Sequence, residues 1–147
     1  MSQVHCHPID VRFGDCDPAG VVYFPRFFDW FHQAMESWFD QALGLPYAEV
    51  LQRHGFPAVH TEADFIKPST MGEQIRILLR IGKIGASSFR LDYEVLGPDD
   101  EIRARGHTVV AMIGVLSDQA DHFRPVRIPT DLRDRIQAFM RAADNAR

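Results

Sequence analysis

The sequence predicts an α+β domain in which one curved antiparallel sheet lays its apolar face around a single long hydrophobic helix, with a second helix at the C-terminus. Three observations lead there. An aromatic stripe at helical spacing runs from Pro25 to Leu43, and period-two alternation takes over beyond about residue 58. The alternating runs are joined by hairpin-length connections, which favour antiparallel pairing. A chain of 147 residues with no linker, repeat or low-complexity stretch fits one domain, 1–147.

Residues 3 to 13 place Val4, Cys6, Ile9, Val11 and Phe13 in an imperfect alternation broken by Pro8, as suits an edge strand. The turn "DCDPAG" follows. In "PRFFDWFHQAMESWFDQAL", Phe27, Phe28, Phe31, Met35, Trp38, Phe39 and Ala42 share a broad stripe, with Pro25 at the first helical position and "GLP" as the stop. A short helical piece spans Tyr47 to His54. The expected strands are Val59–Lys67, "EQIRILLRIG", "SSFRLDYEVLG", Ile102–Leu116 and a short one at Phe123–Ile128. In the two central runs Ile75, Ile77, Leu79 and Ile81, then Phe89, Leu91, Tyr93 and Val95, form the dry face. From Pro129, Leu132, Ile136, Phe139 and Met140 outline an amphipathic helix.

An apolar fraction of 46% and a charged fraction of 24% describe an ordinary globular chain, and no apolar run approaches the ~20 residues of a membrane span. A formal charge of −4 argues against nucleic acid as a partner. "MSQVHCHPID" lacks the basic-then-apolar pattern of a secretory leader, so a cytoplasmic address is expected, with Cys6 and Cys16 as free thiols. There is no P-loop or GxGxxG, and "GASSF" ends in Phe where a nucleophile elbow needs Gly. No metal is expected: in a strand, His5 and Cys6 point to opposite faces and do not converge with His7 and Cys16.

The stretch "FGDCDPAGVVYFP" carries the chemistry. Asp15 and Asp17 would face the same way on an extended segment, as a carboxylate pair for acid/base work, or they tie down a tight turn. The turn leads directly into a helix start, where unpaired N–H groups and a partial positive charge can polarise a carbonyl. A carboxylate plus an N–H donor is the minimal kit for acyl transfer.

"FGDCDPAGVVYFPRFFDW" resembles the signature of the hotdog-fold 4-hydroxybenzoyl-CoA thioesterase family. The resemblance runs from Ile9 to Leu45 and more loosely through "DFIKPSTMGEQIRI" and "GASSFRLDYEV" to about Pro129. It implies an acyl-CoA thioesterase with Asp17 as nucleophile or general base and the Phe24 backbone N–H as oxyanion donor. Asp15, Gly20 and Pro25 then shape the loop. Tyr23, Phe27 and His32, with His60, Thr61 and Glu62 on the next strand, become candidates for the substrate pocket. Arg80, Lys83, Ser88, Arg90, Arg124 and Arg127 are candidates for the CoA phosphates, to which such groups can pair. The family further implies a homotetramer, a dimer of dimers, and no cofactor, since CoA belongs to the substrate. Where the family has Tyr and an acid, this chain has Phe24 and His32. The second departure leaves recognition of a 4-hydroxyl group open. The expected substrate is an aromatic, 4-hydroxybenzoyl- or benzoyl-type acyl-CoA; a short or medium acyl-CoA, an acyl carrier protein, or binding without turnover stay as alternatives.

Overall fold

The computed structural model describes residues 4–114 and 124–145. Gln3, Leu116 and Phe123, at the ends of expected strands, lie outside them. Strand β1 (His5–Asp10) opens the chain, and a single 3-10 turn (Phe13–Asp15) follows it. Helix α1 (Pro25–Gln41) and the one-turn α2 (Tyr47–Val50) come next. The strands are then β2 (His54–Gly55), β3 (Ala58–Phe65), β4 (Gln74–Ile84), β5 (Ser88–Leu96), β6 (Ile102–Ala111) and β7 (Ile113–Gly114), before α3 (Thr130–Asn145). Five strands form one antiparallel sheet in the order β1-β4-β5-β6-β3, so β1 and β3 are its edges.

The expected helix on a sheet is present, with α1 across the dry face. Phe31, Ala34, Trp38 and Phe39 of α1 are almost completely buried, as are Ile75, Ile77 and Leu79 of β4 and Leu91 and Val95 of β5. Phe31 stacks flat on Tyr93, ring centroids 4.4 Å apart. Gly106 of β6 makes the approach possible: a Cβ there would sit 2.5 Å from the Glu62 carbonyl oxygen and 3.0 Å from the Phe31 ring. Trp38 also meets Phe139 at 5.7 Å, so the C-terminal helix closes on the far end of α1. No helix among the described residues is long and apolar enough to cross a membrane.

Several boundaries differ from expectation. Ala42 is exposed rather than in the stripe, and the chain leaves α1 through Gly44 at φ 68°. The helical piece expected over Tyr47 to His54 stops at Val50, because His54–Gly55 pairs instead with Ile113–Gly114 in a separate two-stranded ladder. The long run from Ile102 breaks at Met112 to reach that ladder. Among the described residues of the expected strand near Ile128, only Pro125 makes a bridge, to Ile113. A bulge between Ala58 and His60 offsets the register of β3 on β6.

Candidate active site

The turn after β1 is built almost wholly from its own backbone. The Asp17 N–H donates to the Val21 carbonyl and the Gly20 N–H to the Asp17 carbonyl, each at 2.9 Å. Gly20 sits at φ 82°, a conformation that favours glycine. The Asp17 carboxylate accepts the Ala19 N–H through Oδ1 at 2.9 Å, an Asx turn. Its Oδ2 accepts no hydrogen bond among the described residues, so one oxygen of a half-buried carboxylate stays available.

Asp15 does something else. It closes the 3-10 turn rather than lying on an extended segment, and its carboxylate has partners of its own. Asp15 Oδ2 accepts the Arg12 N–H at 2.9 Å, Oδ1 lies 3.6 Å from Arg26 Nε, and the Asp15 carbonyl accepts the Tyr23 N–H at 2.9 Å. It holds the loop to the helix start. There Phe24 already has helical dihedrals (φ −54°, ψ −34°), the Arg26 N–H donates to Tyr23 and the Phe27 N–H to Phe24. The Phe24 N–H has no acceptor among the described residues. An unpaired donor at the positive end of a helix dipole is suited to a developing oxyanion.

A second segment holds this turn from the other side. The Val22 N–H donates to the Ser69 carbonyl and the Gly72 N–H to Val11, while Val21 bridges Thr70. Arg103 clamps that segment, donating to the Pro68 carbonyl at 2.9 Å and to both oxygens of Glu73 at 3.0 and 2.9 Å. These bonds, Arg103's foremost, hold the Glu73 carboxyl down at about 2 despite its partial burial. Sequence reasoning missed this clamp, although Thr70 and Glu73 form the [ST]-x-x-E pattern in which Thr70 N and Oγ1 donate to the glutamate.

Asp17 opens into a cleft of about 630 Å³ walled by Phe13, Cys16, Thr70 and Met71. A second cleft, about 300 Å³, lies beside Phe24 and Phe27 against Phe65 and Ile66. A third, about 330 Å³, separates α1 from β3 and contains His32 and Thr61 with Phe28, Tyr93 and Thr108. The expected pocket residues therefore divide: Phe27 in the second cleft, His32 and Thr61 in the third, Tyr23 exposed beside the helix start. His60 and Glu62 do not join them, because the period-two strand turns both to the sheet's outer face, where Glu62 lies 3.1 Å from His107. Sequence position alone places Glu62 near the reaction centre; the register of β3 does not.

Among the expected phosphate ligands, Lys83, Ser88 and Arg90 line one outer-face cleft of about 410 Å³. Arg80 and Arg90 each already pair with an acid, Glu94 and Asp92, at 2.8 Å. Arg124 and Arg127 are exposed on the segment before α3 and line no part of that cleft.

Residues 11–136 match the family described as the thioesterase-like superfamily. A 1,4-dihydroxy-2-naphthoyl-CoA hydrolase from Synechococcus elongatus is 36% identical over 88 residues, covering 58% of this chain and 64% of that protein. The chain thus spans 64% of the length of that relative. The Synechocystis protein of the same description is 34% identical over 100 residues, 67% of this chain and 72% of its own. A solved 1,4-dihydroxy-2-naphthoyl-CoA thioesterase from Synechocystis superposes with a TM-score of 0.80 at 26% identity, over 91% of this chain and 96% of its own. A gentisyl-coenzyme A thioesterase gives 0.79 at 25%, over 89% and 98%.

Proposed function

The chain belongs to the thioesterase-like superfamily and has its hotdog fold, and from that premise we propose that it hydrolyses an aromatic acyl-CoA to the free acid and CoA. One observation carries the proposal. A carboxylate, Asp17, with one oxygen uncommitted among the described residues stands on a turn that runs straight into the Phe24 N–H at the start of α1, itself without an acceptor among those residues.

In the reaction, the thioester oxygen takes the Phe24 N–H, which stabilises the negative charge that develops there. Asp17 then acts in one of two balanced ways. Its carboxylate attacks the carbonyl carbon, the C–S bond breaks to release CoA thiolate, and water cleaves the resulting acyl-aspartyl anhydride. Alternatively, Asp17 takes a proton from water as that water attacks, and the thiolate leaves from the tetrahedral intermediate. Labelled water oxygen appearing in Asp17 after a single turnover marks the first route.

The ring-rich clefts flanking the turn favour an aryl group over a straight chain. The names of the relatives favour a hydroxylated bicyclic acyl group, 1,4-dihydroxy-2-naphthoyl, over the 4-hydroxybenzoyl group expected from the sequence signature, and His32 in place of an acid agrees with that shift. For the CoA phosphates we favour the cleft of Lys83, Ser88 and Arg90. Further copies of the chain cover the exposed apolar groups around the turn, in the homotetramer that the sequence resemblance implies.

The test is thiol release from a panel of 1,4-dihydroxy-2-naphthoyl-, 4-hydroxybenzoyl-, benzoyl-, phenylacetyl- and hexanoyl-CoA. The expected result is hydrolysis of the aryl thioesters, fastest for the bicyclic one. Release from hexanoyl-CoA alone, or from none, contradicts the proposal.

A further inference from the structure

We propose that His60, Glu62 and His107 form a surface site for a divalent transition-metal ion of the zinc type. The sequence scatters these residues over two strands, and the sheet assembles them. Glu62 of β3 is the direct register partner of His107 in β6. His60 lies two residues before Glu62 on the same strand and so projects from the same outer face.

Their donor atoms already converge. Glu62 Oε1 is 3.1 Å from His107 Nε2 and 3.8 Å from His60 Nε2, and all three donor atoms lie within 4.8 Å of one another. The two imidazoles stand side by side, ring centroids 5.4 Å apart and inclined by 29°. Zinc bonds of roughly 2.0–2.2 Å in a tetrahedron need donors only about 3.3 Å apart, so modest side-chain rotations suffice. Two imidazoles and a carboxylate are a set that zinc and its neighbours accept, leaving a further position for water.

The local charge permits a cation. Arg90 and Arg105, which flank the cluster on the same face, are engaged by Asp92 at 2.8 Å and Glu94 at 3.7 Å. Glu62 is accordingly the carboxylate presented to the two imidazoles. An ordinary reading of the trio is a polar surface cluster in which the two imidazoles lie beside the Glu62 carboxylate. The two readings differ in what they bind.

The test uses untagged, chelator-stripped full chain, titrated with Zn²⁺ by calorimetry and with Co²⁺ by visible absorption. Wild type, His107→Ala and Glu62→Gln are compared, with circular dichroism checking that the substitutions, one at a half-buried and one at an exposed side chain, leave the fold intact. The proposal expects a single Zn²⁺ per chain and a Co²⁺ d–d band. It also expects each variant to lose more than the roughly 10–100-fold in affinity that removing a mere outer-shell partner costs. No binding to wild type, or binding of undiminished affinity in both variants, overturns it. His107 also lines the cleft favoured above for the CoA phosphates, but neither readout involves CoA or turnover.

Discussion

At the scale of single residues, identical chemistry two positions apart acquires different work from backbone geometry. Asp15 is engaged by the Arg12 N–H and by Arg26, while Asp17 keeps an oxygen uncommitted among the described residues. The contiguous turn, glycine and helix start drew attention to this stretch, and the family resemblance singled out Asp17 and Phe24 within it. The sequence could not reveal Glu73 and Arg103, which meet only through the sheet. Their pair has a measurable signature. Glu73 is held at about 2, below the ordinary value of 4.5, chiefly by the Arg103 bond. A depressed folded pKa contributes stability above the unfolded value and loses it as pH falls, here between about 4.5 and 2. The contribution is at most about 3 kcal/mol, less whatever solvent screens, since the carboxylate is still partly exposed. Urea unfolding across that window should show wild type losing stability steeply and Glu73→Gln, already weaker at neutral pH, lacking that portion of the slope. An unchanged slope would mean that the pair does not couple to folding.

At the scale of elements, the runs with unbroken periodicity were readable. β4 and β5 bury the residues that alternation assigned to the dry face except Ile81, which is only partly buried beside the bulge in β4, and α1 buries Phe27, Phe31, Met35, Trp38 and Phe39. The misread pieces are those whose conformation depends on a distant partner: His54–Gly55 is extended because Ile113–Gly114 lies opposite, which no local pattern announces. The sequence pattern locates β3 without assigning its faces, so it groups Thr61 with Glu62, which point oppositely. As an edge strand, β3 has one side without a strand partner among the described residues, with Val59 62% and Phe65 48% exposed. Open apolar edges of this kind invite pairing with another chain. Light scattering on the purified protein should therefore give a mass that is a multiple of the 16.8 kDa chain, four-fold for the proposed tetramer. A stable monomer that retains full activity would remove assembly from the account.

At the scale of the whole molecule, the fold brings two sequence-distant segments together around one turn. β1 and α1 fix its two ends, the segment from Pro68 to Glu73 braces its flank, and Arg103 of β6 fastens that brace to the sheet. The sheet's outer face is left for charged groups, among them the Lys83, Ser88 and Arg90 cleft. Everything in the hydrolysis reading converges on Asp17, and the Asx turn makes that residue unusually clean to test. Asparagine keeps an Oδ1 that can accept the Ala19 N–H, so Asp17→Asn removes the charge without removing the turn. The decisive measurement is steady-state thiol release by wild type and Asp17→Asn on the best aryl-CoA of the panel, with matched circular dichroism spectra. A fall of roughly 10²–10⁴-fold in kcat with the fold retained is the result the account predicts. An unchanged rate in the folded variant would contradict it, leaving Asp17 as a turn former and the catalytic group elsewhere.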